Sequence, residues 1–466
     1  MAHVEARFVE GNLMRHVSTM SLTSSVGLMA IFAVDLIDVL FISMLGQEAL
    51  AAAAGYASVV MFFASAVNIG LSVAAGVLVA NSLGGGKDLP AREHAFSSSM
   101  FAIAFGILIP LLLLPNLDFI LGLLGASDDV TERAKDYLWI ILPTTFMSGL
   151  GMTTVAVLRA YGDGKRAMYP SLMGALVNGV LDPILIFSLS MGLEGAAWAT
   201  VSARFVTMVV AIWPAFRLYN AFAIPRVQCF MYDIREGMQI AMPAILATVA
   251  TPVGVAIVTR EMAKYGTDAV AGMAIINRMI PVVFSVVLAL SGSIGPIMGQ
   301  NFGAGRLDRV RETFVDGVIF AGLYVVGIAA ALFIFRTPIA DLFGAEGMTR
   351  DLIFLFCGPL ALASFFNAVI FVANASFNNL GHPGYSTWVN WGRQTLGTLP
   401  LVLLGGALFG APGVLIGQAV GGVVFAGVAA WISLWMMTDQ KHPMRQLTCR
   451  FQLQRRMHEV CLRCNR

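Results

Sequence analysis

Apolar runs of 20 residues or more recur along this chain, separated by short polar breaks, and they set its architecture before any single residue does. A helix needs roughly 20 mainly apolar residues to cross a bilayer. Twelve stretches meet that need. Six lie near 18–45, 50–81, 95–124, 134–160, 168–190 and 195–219, and six more near 237–263, 270–300, 314–343, 351–379, 386–408 and 412–438. The most polar interruption, 220–236, contains Pro225, Arg226, Asp233 and Arg235 and falls between the two sets. The predicted fold is therefore all-α integral membrane, with twelve transmembrane helices in two six-helix lobes. The lobes are 1–219 and 237–438, joined by a cytoplasmic linker 220–236 and followed by a basic cytoplasmic tail 439–466. The first run is too long for a cleaved signal and lacks a small-residue cleavage site after it, so it is expected to stay as the first span.

Composition sharpens this picture. Of 466 residues, 58% are hydrophobic and 12% charged, against about 25% charged in soluble domains. A net charge of +2 gives no reason to expect a nucleic-acid partner. Where the charges fall says more. With both termini inside, cytoplasmic segments hold twenty of the 29 Lys and Arg residues and outer loops six, while Arg204, Arg278 and Arg393 fall inside spans. That bias predicts a multi-pass cell-membrane protein with both termini cytoplasmic, in the inner membrane if the source is bacterial. The five cysteines, Cys229, Cys357, Cys449, Cys461 and Cys464, make no disulfide framework. The lone C-x-x-C lacks a second ligand pair, so no metal is expected.

The halves also resemble each other at a shift of about 220 residues. Gly46-Gln-Glu-Ala-Leu-Ala matches Gly266-Thr-Asp-Ala-Val-Ala, and Asn81, Gly84, Gly86, Lys87 and Asp88 echo Asn301, Gly303, Gly305, Arg306 and Asp308. Six spans per repeat is an even number. Both copies therefore enter the membrane the same way, and a pseudo-twofold axis along the membrane normal is expected, with a central cavity between the lobes.

These residues carry a family resemblance. Gly299-Gln-Asn-Phe-Gly-Ala-Gly-Arg306 resembles the G-Q-N-x-G-A-G-x signature of the multidrug and toxic compound extrusion (MATE) transporters. Asp38-Val-Leu-Phe-Ile-Ser-Met-Leu-Gly46 is similar to the end of that family's first helix. Leu158-Arg-Ala-Tyr-Gly-Asp-Gly-Lys165 and Asn178-Gly-Val-Leu-Asp182-Pro-Ile-Leu-Ile-Phe187 resemble its fourth-to-fifth helix region. The resemblance implies export of organic cations and other amphipathic drugs in exchange for protons or sodium ions. Two departures stand out. No proline occurs between Met1 and Leu89, where many members carry one in the first helix, and Thr251 stands where one branch has a glutamate in the seventh.

Ionisable groups inside a membrane are costly, by roughly 2.5–3.5 kcal/mol on insertion scales, and tend to mark pathways. Of 27 carboxylates, Asp35, Asp38 and Asp182 lie well inside spans, all in the first half. The repeat partners of Asp38 and Asp182 are Val258 and Leu401. Asp35 and Asp38 share a helix face by their i, i+3 spacing, as Asn178 and Asp182 do by i, i+4. This one-sided cluster is expected to hold the coupling ion, H⁺ or Na⁺. Asp35 could instead face the substrate, and structural pairing of Asp182 with Arg204, or of Asp35 with Arg278, is the competing reading. Met61, Phe62, Phe63 and Arg278 are the substrate-contact candidates.

Other classes fit less well. Gly84-Gly-Gly-Lys87 lacks the Ser or Thr that a phosphate loop needs next, so no ATP and no cofactor is expected. Asp163 has no second catalytic acid at its depth, which argues against an enzyme. The expected partners are small amphipathic molecules and the bilayer, and the protein is expected to act as a monomer. A lipid or lipid-linked sugar flippase of the same superfamily is the alternative function.

Overall fold

The computed structural model describes residues 6–44 and 48–438; the basic tail with Cys449, Cys461 and Cys464, and the repeat residue Gly46, lie outside them. Every regular element among the described residues is helical. In the first lobe α1 covers Leu13–Met44, α2 Glu48–Gly84, α3 Asp88–Leu123, α4 Asp128–Ala160, α5 Gly164–Ser188 and α6 Gly192–Arg217. In the second, α7 covers Val227–Tyr265, α8 Thr267–Gly303, α9 Leu307–Leu342 and α10 residues 347–379.

Among the described residues, ten helices are long and apolar enough to span, and eleven if the two pieces of α8, bent by 48°, count as one. The twelfth lies within Gly384–Thr438, whose 55 residues would reach roughly 80 Å if straight. That is far more than a hydrocarbon core of about 30 Å. The segment breaks at Gly410, where φ is 66° and ψ −146°, a conformation that glycine adopts without a Cβ penalty. There the chain turns back on itself. Gly405 packs against Gly413, Gly417 against Leu401 and Gly421 against Gly397, backbone on backbone. These pairings define an antiparallel hairpin of α11 (384–409) and α12 (411–438). Small residues allow such approach, and close packing is what joins helices in lipid.

An even number of spans puts both ends of the described chain on one face, called basal here; the opposite face is distal. The lobes are joined at their basal ends. Among the described residues, the hydrogen bonds between lobes all lie there. The segment before α1 runs across the boundary as a strap. Its Phe8 N–H donates to Gln300 Oε1 at 2.8 Å, and its Phe8 carbonyl accepts from Asn301 Nδ2 and Arg309 Nη2, each at 3.1 Å. Arg306 Nη1 donates to the Val9 carbonyl at 2.9 Å. Gln300 also donates from Nε2 to the Ala160 carbonyl at 2.7 Å, tying α8 to the end of α4. Deeper in, the Ser293 hydroxyl lies 3.2 Å from both the Met20 carbonyl and Ser24 Oγ.

The predicted linker 220–236 is partly helix, because α7 begins at Val227. Asp233, read from sequence as a linker charge, is buried on the lobe boundary. It accepts from the Ser97 hydroxyl at 2.7 Å and stands 3.3 Å from His94 Nδ1.

Asp163, between α4 and α5, caps α5 by accepting from Arg166 N at 3.0 Å. It also receives the Arg166 guanidinium and the Tyr219 hydroxyl, each at 2.6 Å. Burial alone would raise this carboxyl, but these three donors outweigh it and hold it below the ordinary carboxylate value. A depressed folded-state value contributes stability above the unfolded value, and that contribution is lost as pH falls through the folded one. Asp163→Ala should cost about 1–2 kcal/mol, as lost caps do. The check is thermal unfolding in detergent between pH 7 and pH 3, where the gap from wild type should close on acidification.

Candidate functional site

The first lobe gathers its acids where α1 packs along α5. Asp182 is fully buried and Asn178 nearly so. They sit one turn apart on α5, and Asn178 Nδ2 donates to Asp182 Oδ2 at 2.6 Å. The Asp38 carboxyl comes from α1 to within hydrogen-bonding contact of the Asp182 carboxyl. One oxygen of each, Asp38 Oδ1 and Asp182 Oδ1, is buried with no hydrogen-bond partner. Asp35 lies one turn toward the basal face on α1 and is exposed.

Local sequence explains the geometry. Pro183 follows Asp182 directly, and the α-helical part of α5 gives way there to a π-helical turn over Ile184–Ser188. Proline removes a backbone donor and disturbs the regular ladder, and such turns recur at functional positions. One turn beyond Asp38, Phe41 packs edge to face on Phe187 with centroids 5.6 Å apart.

Two polar residues that sequence reading did not single out, Tyr137 and Thr200, complete the surroundings. Tyr137 on α4 lies beside Asp38 and Asp182, close to Thr200 of α6, whose hydroxyl donates to the Ala196 carbonyl at 3.0 Å. Arg204, the candidate salt-bridge partner of Asp182, turns elsewhere. Its Nη1 donates to the Ile141 carbonyl and to Thr144 Oγ1, each at 2.9 Å. Among the described residues, neither Asp182–Arg204 nor Asp35–Arg278 forms an ion pair. The competing salt-bridge reading is corrected on both counts. A tyrosine or threonine within an apolar span gives no charge signal, and only depth matching with Asp38 could have flagged Tyr137.

Chemically, two carboxyl groups in contact cannot both stay ionised without cost, because like charges at that distance repel. A proton shared between the acids, or a bound cation, would relieve that repulsion. No equivalent exists at the matching positions of the second lobe. Its buried Glu261, at the distal end of α7, is already paired with Lys264 at 2.6 Å.

The substrate candidates separate. Phe62 lines an open depression between the lobes with Thr251, Pro252, Val255 and Arg260. Phe63 is exposed and packs edge to face on Phe62. Met61 packs within the first lobe against its core, away from the boundary. Arg278 is exposed on α8.

The MatE family model matches residues 24–184 and again 243–403, one copy per lobe and about 220 residues apart, as the internal repeat predicts. A protein named FAD transporter from Shewanella oneidensis is 26% identical over 423 residues, covering 88% of this chain and 92% of its own length. A probable multidrug resistance protein NorM from Thermotoga maritima is 25% identical over 338 residues, covering 70% of this chain and 72% of that one. A crystal structure of the Vibrio cholerae MATE transporter VcmN superposes with a TM-score of 0.85 at 25% identity, over 90% of this chain and 96% of that one. With both repeats matched and the fold shared from end to end, the chain belongs to the MatE family of multi-pass membrane transporters.

Proposed function

We propose that this transporter exports amphipathic organic molecules, cationic drugs or metabolites foremost, in exchange for protons taken up at the Asp38–Asp182 pair. The observation that carries the reading is the contact of the buried Asp182 carboxyl with the half-buried Asp38 carboxyl, each with a buried, unpartnered oxygen, in one lobe only. A proton bridging two carboxyls needs only the pair. A sodium ion needs several more oxygens, and Asn178 turns its amide nitrogen, not its oxygen, toward Asp182. On the excess of Lys and Arg in its loops, the basal face is cytoplasmic. The lobes sealed at that face then correspond to an outward-facing state of an alternating-access cycle. Asp35, exposed one turn below the pair, supplies the negative charge that draws cationic cargo toward the site.

The test uses purified protein in liposomes with rhodamine 6G inside and either a pH or a sodium gradient imposed alone. A pH gradient should drive dye movement at least tenfold above protein-free vesicles, and sodium alone should not. Movement under sodium alone would overturn proton coupling. Movement under neither would overturn antiport of drugs, and flipping of a fluorescent lipid would then be measured in the same vesicles.

A further inference from the structure

Between the lobes, toward the basal seal, lies a cavity of about 370 Å³ walled by α2, α4, α7, α8, α10 and α11. It is distinct from the acid cluster, which sits inside the first lobe between α1 and α5. Its one charged lining residue is Arg159, in the last turn of α4. Arg159 is one of the twenty basic residues that the charge count assigns to the cytoplasmic segments. The structure turns it inward. Its guanidinium makes no hydrogen bond or ion pair among the described residues, and Nε is buried without a partner. No carboxylate lines the cavity.

The opposite wall is rich in amides. Asn390 donates from Nδ2 to Asn374 Oδ1 at 3.2 Å, and Ser386 Oγ lies 3.1 Å from Asn378 Oδ1. Both acceptors are thereby engaged through their oxygens, which leaves the Nδ2 groups of Asn374 and Asn378 free to donate. Space for the guanidinium is kept by Gly292 of α8, where an added Cβ would stand 2.7 Å from Arg159 Nη1. An arginine enclosed without a counter-charge is costly, and such groups inside membrane proteins mark binding sites and pathways. A planar cation facing amide donors matches the oxygens of a carboxylate, sulfonate or phosphate. The volume falls at the lower end of pockets that take small organic ligands.

We infer that this inter-lobe cavity binds the anionic group of an organic amphiphile, with Arg159 as its charge partner and Asn374 and Asn378 as donors. The cargo range then extends beyond cations to organic anions and zwitterions. The site goes beyond the coupling reading and does not depend on it.

Binding of 5-carboxyfluorescein and of rhodamine 6G, related dyes of opposite charge, would be measured on the full chain in phosphatidylcholine nanodiscs with no gradient. The absence of a gradient separates failure here from failure of proton coupling. Arg159→Gln should weaken carboxyfluorescein at least tenfold relative to rhodamine 6G in the same preparation. Arg159→Lys should retain most of the binding. Gly292→Ala keeps the charge but displaces the guanidinium. It should weaken the anion several-fold, and it carries the test if the glutamine variant fails to fold. Equal weakening of both dyes, or of neither, overturns the proposal. Native mass spectrometry from mixed phosphatidylcholine and phosphatidylglycerol discs identifies the occupant. Phosphatidylglycerol retained by wild type and lost from Arg159→Gln supports the site with a lipid headgroup in it. Equal retention, with the dye result holding, supports it with a soluble anion.

Discussion

Exchange of Asp182 for asparagine should stop pH-driven efflux of rhodamine 6G in liposomes, bringing it down to the leak of protein-free vesicles. The substitution changes little else. Asparagine matches the shape of aspartate and can still hydrogen-bond to Asn178, whose amide lies 2.6 Å from the carboxylate. What it cannot do is take up and release a proton. Asp38→Asn is expected to do the same, because each acid needs the other for the shared proton. Asp35→Asn should slow efflux only several-fold, since Asp35 is exposed and lies outside that contact. Dye exchange down its own gradient, with no pH difference, should survive in Asp182→Asn. That separates lost coupling from a collapsed fold. Efflux at the wild-type rate in Asp182→Asn would sink the assignment.

The second large effect is mechanical. At the basal seal the end of α2 crosses the end of α8 with no side chains between them. A Cβ on Gly84 would overlap the Gln300 carbonyl, and a Cβ on Gly303 would overlap the Asn81 carbonyl. Both neighbours are backbone, which cannot swing aside as a flexible side chain can. Gly84→Ala and Gly303→Ala should therefore hold the lobes apart at this face and slow transport at least tenfold. The opening itself can be read with a cysteine at Ser291, which lines the inter-lobe cavity, in a background without the five native cysteines. A membrane-impermeant maleimide supplied from the basal side should label it several-fold faster in either alanine variant. Unchanged labelling together with an unchanged rate would show that the seal lies elsewhere.

Much of this was readable from the chain because lipid imposes a simple code. The spans follow from runs of some 20 apolar residues, and α11 and α12, which follow each other with only the turn at Gly410 between them, are separated there in the sequence reading as in the structure. The acids were readable because a carboxylate in an apolar run is conspicuous, and i, i+3 and i, i+4 spacings set them on shared faces. Three features were hidden for physical reasons. Asp233 looks like a linker residue by composition, yet it is buried against His94 and Ser97 from the other lobe, a partnership of distant segments. Arg159 stands at a span end, where local sequence does not say whether a long side chain turns to water or inward. The strap holds through the Phe8 and Val9 carbonyls and the Phe8 N–H, and backbone groups leave no trace in residue type.

That the acids are confined to one lobe limits the work each cycle can extract. A tenfold ion gradient is worth about 1.4 kcal/mol per ion. On the proposed proton coupling, the Asp38 and Asp182 carboxyls have one proton to share, and a second only when both are neutral. With no membrane potential, the cargo ratio sustained across the bilayer is then capped between the first and the second power of the proton ratio. A duplicated chain with a second working copy of the pair could have squared that ceiling. This one, with Val258 and Leu401 at the matching positions, keeps the lower ceiling and uses fewer ions for each cargo molecule moved.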